Sequence, residues 1–482
     1  MRRKGAGTHP MANEYLVVSD LHLTDVEDNP DGWKAYKASR FTYDPEFAAL
    51  LRRFCGQAGQ DTELTLVLNG DIFDFDLVTA VPDDPPWPVN RSERRRGLNG
   101  SEPKSMWKLQ RILGDHPGFT DTLADFLAAG HRIVYVLGNH DREFHFPGVQ
   151  NVLRSALREG VAARGGELQD DALVFEPWFF HVSGEIYAEH GQQYDYYTSF
   201  RYLLSPVVLQ GGEERLALPM GNLSNRYLMS KMGFFNPHAS DYILNLFAYA
   251  AHWFRHYAFS RRSLAISWLW GSLVVIGKLL RIRKKLLRRP RDLRSQLEAV
   301  AGRYDLPLDT VRALYRLQQP PITSRFFRII REFWIDRALM AVVMTGGTVA
   351  LALVPIPLWI KLMVPLTGFP LLYFIYEWAV KGRSIHTIER EFPDVARRVA
   401  DLVDARVVTF GHTHVPRLLP LRRGLDFVDT GTWAPITDRR RPDCLVEGYR
   451  NLLRVSFSGA TPRVHFESWI ERCEDDRTAA DR

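Results

Sequence analysis

Three apolar runs in the first third of the chain end in the same manner. Tyr15–Ser19 runs into Asp20-Leu21-His22, Glu63–Asn69 into Gly70-Asp71, and Arg132–Leu137 into Gly138-Asn139-His140-Asp141. Apolar runs of five to seven residues read as buried strands. Segments of helical character, Pro45–Gly56 and Gly118–Ala129, precede the second and third runs. This alternation predicts a parallel sheet covered by helices. Parallel strands deliver the residues that follow them to one sheet edge, where open α/β sheets bind ligands. The acids, amide and imidazoles ending these runs are thereby expected to meet.

Further along, Leu173–Phe180 and Glu185–Glu189 read as a hairpin turning at Ser183-Gly184. Arg406–Phe410 is another buried strand, followed by short strands around Phe427–Thr430, Leu452–Phe457 and Val464–Glu467. The two ends of the chain look like one mixed α/β unit interrupted by about two hundred residues.

Of the 482 residues, 46% are hydrophobic and 24% charged, which excludes whole-chain disorder. Cys55, Cys444 and Cys473 lie far apart with no CxxC pair, which excludes a disulfide framework and a cysteine-rich zinc module, and favours a reducing compartment. The N-terminal MRRKGAGTHPMANEY has no apolar core, so a cleaved signal peptide is not expected, and Met11 is an alternative start.

The interruption has its own composition. Arg255–Arg337 holds 19 Lys+Arg against 6 Asp+Glu, a net of +13, while the whole chain carries only +6. The rest is therefore mildly acidic. Asp241–Phe259 is rich in aromatic and apolar residues, and Ser263–Gly277 has no charge. Ala338–Val380, 43 residues with only Lys361 and Glu377 charged, is long enough for two short membrane spans turning near Pro355–Lys361. Such a run is hard to bury in a small cap domain. The two halves of the α/β unit share one side, so crossings are even in number. A hairpin at Ala338–Val380 keeps Arg281–Arg337 and Lys381–Arg383 together on the cytoplasmic side, in line with the positive-inside rule. Ser263–Leu280 then lies in the interface or in the protein core. Arg281–Arg291 would face anionic headgroups. A solvated helix face or a nucleic-acid contact is the less favoured reading of that run.

Five motifs sit at strand ends: Asp20-Leu21-His22, Gly70-Asp71-Ile72-Phe73-Asp74, Gly138-Asn139-His140-Asp141, Glu189-His190-Gly191 and Gly411-His412-Thr413-His414. Asp20 and Asp71 should not crowd together unpaired, because like charges repel. Divalent cations remove that conflict, and imidazoles with an amide oxygen complete the coordination without added charge. Nitrogen and oxygen donors suit manganese first, with iron and zinc as alternatives. Glycines before Asp71, Asn139 and His412 are expected to let the backbone turn sharply.

In this order the motifs resemble the calcineurin-like metallophosphoesterase superfamily, over roughly residues 14–200 and 400–470. The wording SDLHL, GDIFDF, GNHDRE, EHGQQYD and GHTHVP is most similar to the bacterial branch with the UDP-2,3-diacylglucosamine diphosphatases. The spacing departs from that branch, since about 220 residues separate His190 from His412. The resemblance implies an α/β fold, a four-layer α/β/β/α sandwich of two mixed sheets, here with an inserted, mainly helical, membrane-associated region. It implies two divalent metal ions. Asp20, His22 and His414 would hold one, Asn139, His190 and His412 the other, and Asp71 would bridge them. His140 would serve the leaving-group oxygen, oriented by Asp74 and Asp141, while hydroxide bridging the metals attacks phosphorus.

The expected division is a flexible N-terminus at 1–13, the catalytic domain at 14–200 and 399–470, the insertion at 201–398 and a polar tail at 471–482. Within the insertion, the basic segment covers 255–337 and the hydrophobic hairpin 338–380. Loops Thr24–Tyr43, with Asp25, Trp33, Lys34 and Arg40, and Val81–Met106, with RSERRR, are expected to rim the site. Their basic residues are candidates for a second phosphate, and a mobile surface loop is the alternative. The leading functional reading is a membrane phosphoesterase acting on a phosphate ester or pyrophosphate of a lipid- or nucleotide-linked substrate. A nuclease or cyclic-nucleotide phosphodiesterase, and a membrane scaffold with a lapsed site, are the alternatives.

Overall fold

The computed structural model describes residues 14–30, 33–57, 62–233, 236–238, 254, 264–286, 292–324, 326–379, 385–436, 450–457 and 462–468. Cys444, Cys473, both tails, most of 241–259, residues 287–291 and Lys381–Arg383 lie outside the described residues. The chain divides into two compact units, Met1–Pro321 with Pro393–Arg482, and Ile322–Phe392.

The first unit is built on two mixed sheets. One comprises β1 (Glu14–Val18), β2 (Leu64–Asn69), β3 (Arg132–Val136), β4 (Leu173–Glu176), β12 (Asn451–Ser456) and β13 (Arg463–Ser468), in the order β13-β12-β1-β2-β3-β4. Strands β1 to β4 are parallel, and β12 runs antiparallel to β1 with Tyr15 opposite Val455. The other comprises β5 (Phe179–Val182), β6 (Glu185–Glu189), β9 (Ala405–Phe410), β10 (Arg417–Arg422) and β11 (Leu425–Asp429), in the order β10-β11-β9-β6-β5. Here β6, β9 and β11 are parallel.

The sheets face each other across Val17, Val67 and Val134 on one side and Ile186, Ala188 and Val407 on the other. Each of the valine and isoleucine side chains among these, once fully buried, contributes up to about 1.5–3 kcal/mol of transfer free energy. Helices α1 (Asp44–Gln57), α3 (Glu102–Asp115), α4 (Pro117–Ala128) and α5 (Pro147–Ala163) form one packed outer group, with α4 against β3. On the second sheet, Tyr304 at the end of α8 (Leu293–Tyr304) stacks on Phe179. The sandwich of two mixed sheets with outer helices is the expected fold.

Two local expectations are corrected. Leu173–Phe180 is two strands, not one. It breaks at Pro177-Trp178, and β4 and β5 go to different sheets. Proline has no N–H to continue a ladder. Val81–Met106 is also no simple loop, since it contains α2 (Arg91–Arg96). That helix is closed by a capping box in which the Asn90 side chain accepts from Glu93 N, and the Glu93 side chain accepts from Asn90 N.

The segment after residue 200 is not helical throughout. It opens with a hairpin, β7 (Val207–Gln210) and β8 (Glu213–Leu216), followed by α6 (Met220–Tyr227). Helix α7 (Leu264–Leu286) packs on α6.

The second unit contains a helical hairpin, Ile335–Leu353 and Leu358–Ala379, turning at Val354–Pro357. The returning helix widens to a π turn at Val364–Gly368, which contains Pro365. At its base Arg337 Nε donates to Glu377 Oε1 at 2.6 Å. None of the residues in these helices is buried, and Leu353, Phe374 and Trp378 are wide open. Both helices are long and apolar enough to cross a membrane.

Candidate metal centre

The parallel strands of both sheets end at one edge, and the five motifs meet there. Asp20, His22, Asp71, His412 and His414 all have φ between 50° and 73°. That left-handed region is costly for non-glycine residues and concentrates at functional sites. The surrounding sandwich holds the strain, through contacts such as His22 N to Asp71 O at 2.9 Å and Asp20 N to Gly70 O at 3.0 Å.

Two of the three glycines work differently from expectation. Gly70 has φ of 82°, but Gly138 and Gly411 are absent from the positive-φ residues. Their requirement is space. A Cβ on Gly138 would stand 2.2 Å from Asp71 Oδ1, and one on Gly411 would stand 2.5 Å from Asp20 Oδ2.

Two of the resulting donor clusters are built entirely from the expected ligands. In the first, His414 Nε2 lies 3.2 Å from Asp20 Oδ1 and 3.1 Å from His22 Nε2, with Asp20 to His22 at 3.7 Å. In the second, Asp71 Oδ2 lies 3.1 Å from His190 Nε2, and His412 completes the group. Donors about 2.1 Å from one shared ion stand roughly 3–3.5 Å apart. The clusters adjoin, with His190 Nε2 4.0 Å from Asp20 Oδ1. His190 Nδ1 is engaged with Asn69 O at 2.9 Å, and His414 Nδ1 with His238 O at 3.1 Å. Backbone carbonyls thus fix the tautomers so that each Nε2 faces the centre as an acceptor.

The fit to metal is tested by orphaned atoms. Asn139 Oδ1 and His190 Nε2 are buried and have no hydrogen-bond partner. An orphaned buried polar atom is costly, and a cation between the clusters satisfies both. The donor set of carboxylates, imidazoles and one amide oxygen fits divalent metal ions.

The neighbours of the centre divide into ring holders and loop holders. Asp74 Oδ2 lies 3.0 Å from His140 Nδ1 and 3.4 Å from His22 Nδ1. Burial disfavours a charged His140, but Asp74, Asp71 and Asp76 outweigh it and raise the ring well above its ordinary pKa. Asp141 does not touch that ring. Its carboxylate accepts from Gly138 N at 2.7 Å, Ile72 N at 2.9 Å and Tyr135 Oη at 2.7 Å. It ties the two loops that carry Asp71 and Asn139, a correction to its expected place behind His140.

Several residues at the site were not expected. Asp76 lies two residues beyond Asp74, just past the motif, and that alternation was the available signal. Asp195 Oδ2 and Thr198 Oγ1 each lie 3.1 Å from His412 Nε2. The His238 ring sits 4.3 Å from that of His22. Asn222 and Asn225 come from α6, and no local pattern marks them. Of the rim residues, Lys34 Nζ donates to Glu27 at 2.8 Å and Thr79 at 2.9 Å, and Arg96 donates to Tyr227 O at 2.9 Å.

Fold and site together define a metal-dependent phosphoesterase, a hydrolase acting on phosphoester bonds. Residues 14–216 match the profile of the calcineurin-like phosphoesterase family, and this part of the chain is a calcineurin-like phosphoesterase domain. No curated protein matches the chain.

Proposed function

We propose that the protein is a membrane-anchored dinuclear phosphoesterase that hydrolyses a phosphate ester or pyrophosphate of a lipid- or nucleotide-linked substrate. The observation that carries this reading is the pair of adjoining donor clusters, Asp20/His22/His414 and Asp71/His190/His412, with Asn139 Oδ1 buried and without a hydrogen-bond partner. Asp20, His22 and His414 would hold one ion, His190, His412 and Asn139 the other, and Asp71 would serve both. Manganese is the favoured metal, with iron and zinc as alternatives. When bound, the two ions supply Lewis-acid polarisation of the phosphoryl group and lower the pKa of water.

The chain's own residues do the rest. His140, held by Asp74, donates a proton at its Nε2 to the departing oxygen. Asp141 and Tyr135 hold the loops at rest, so that Asp71 and Asn139 need no rearrangement when substrate enters. The second unit's apolar hairpin anchors the protein, and the net +13 of Arg255–Arg337 favours a cytoplasmic catalytic unit.

The test is elemental analysis with turnover of nitrophenyl phosphate and its diester. The purified protein should lose turnover on chelation and regain it with manganese. Asp71→Ala should lose both ions and all turnover, and Asn139→Ala should weaken one ion only. A fully metallated, active Asp71→Ala protein overturns the assignment.

A further inference from the structure

Helix α7 has two unlike faces. One is packed on α6. A Cβ on Gly271 would stand 2.8 Å from Leu228 Cδ1, Lys278 Nζ lies 4.4 Å from the Tyr227 ring centre, and Val275 and Leu279 are fully buried. The other face is open. Leu269, Leu273 and Leu280 recur at intervals of four and seven, so they share one stripe. Trp270 stands beside them, 62% exposed, and Leu273 is 51% exposed. The β7–β8 hairpin extends this surface with Leu209, 63% exposed, whose carbonyl oxygen accepts from Lys285 Nζ. Arg281 and Lys285 are exposed at the C-terminal end of the same helix.

We propose that this face of α7 seats the catalytic unit in the headgroup layer of an anionic bilayer, and that the substrate is a phosphorylated lipid of that bilayer. The proposal rests on the phosphoesterase reading. A stripe of leucines with one tryptophan at its edge and cations at one end is the chemistry of an interfacial helix. Leucine side chains enter the acyl boundary, indole lies at headgroup depth, and basic groups meet anionic lipid. The second half of the argument is what lies behind the helix. The partner of α7 is α6, and α6 carries Asn222, bonded to Asn139 O at 2.9 Å, and Asn225, whose Nδ2 is 3.4 Å from His140 Nε2. Helix α6 alone therefore stands between α7 and the metal centre. A catalytic unit seated on this face holds its metal centre close to the bilayer surface, and a soluble substrate needs no such seat.

The test uses the full chain in nanodiscs that contain phosphatidylserine. Turnover is compared on phosphatidic acid in the same disc and on soluble nitrophenyl phosphate. Trp270→Asp with Leu273→Asp should lower turnover of phosphatidic acid about tenfold, since interfacial binding scales with buried apolar area. Nitrophenyl phosphate turnover should stay unchanged, and Trp270→Phe should keep both. An environment-sensitive fluorophore on Leu269→Cys, with native cysteines replaced, should shift to the blue in these discs relative to detergent. Equal loss on both substrates makes α7 a structural support and overturns the proposal. So does an unshifted fluorophore, or a shift accompanied by cross-linking of residue 269 between two copies. A wild-type protein inactive on both substrates overturns the phosphoesterase reading, and with it the substrate assignment, whatever the fluorophore reports.

Discussion

The side-chain amide of Asn222 donates to the backbone oxygen of Asn139 at 2.9 Å, and its own oxygen accepts from Asn139 Nδ2 at 3.4 Å. The same amide donates to Asp76 at 2.6 Å. The Asn139 amide nitrogen is engaged, and its oxygen is buried without a hydrogen-bond partner. Partners that orient a ligand in this way are worth about 10–100-fold in metal affinity or activity. Asn222→Ala should therefore weaken one metal site by that factor, with turnover restored by excess manganese. A loss of thermal stability without a change in metal dependence would assign Asn222 to folding alone.

His140 gives a prediction that depends on the substrate. His140→Ala should keep both ions and lose about 10²–10⁴-fold in turnover, the range for a general acid. The loss should shrink for nitrophenolate, which leaves without help. Equal losses for good and poor leaving groups would remove His140 from that role.

Glu27 supplies a pH dependence. Burial opposes its charge, but Lys34 Nζ at 2.8 Å and the nearby Lys37 hold the carboxyl down to about 2. A depressed folded-state pKa contributes stability that is present above the unfolded value of about 4.5. That stability is lost as pH falls through about 2. Glu27→Gln should lower Tm at pH 7 and lower it less at pH 3. A Tm difference independent of pH would place the effect in packing rather than charge.

The hairpin predicts how the protein partitions. The full chain should fractionate with membranes and resist high-salt extraction, because salt screens basic groups but not apolar helices. Arg337 and Glu377, one near each end of the hairpin, are in contact, so a short linker can replace Ala338–Val380. That shortened form should bind anionic vesicles weakly and come off in salt. A full chain that stays soluble without detergent and ignores vesicles would make the hairpin a cap-domain core.

Much of the metal centre was legible because its signals are local. A strand end places one or two polar residues at a known edge, and repetition of that design at Asp20, Asp71, Asn139, His190 and His412 compounds a weak signal into a strong one. The hairpin was legible for a similar reason, since apolar length is a property of contiguous sequence. Leu173–Phe180 misled because an apolar run carries no label for its sheet, and Pro177 was the one local sign of a break.

Composition and order along the chain were enough to place the clustered carboxylates and imidazoles, the strands that present them and the apolar hairpin. Tertiary structure alone decided that Asp141 ties two loops while Asp74 meets His140, and that Gly138 and Gly411 are required for clearance rather than for turning. It alone brought α6 from the insertion to Asn139 and His140, and turned one face of α7 inward and the other outward. These are matters of distance between residues far apart in the chain, and short-range pattern carries no information about them until the two sheets have packed.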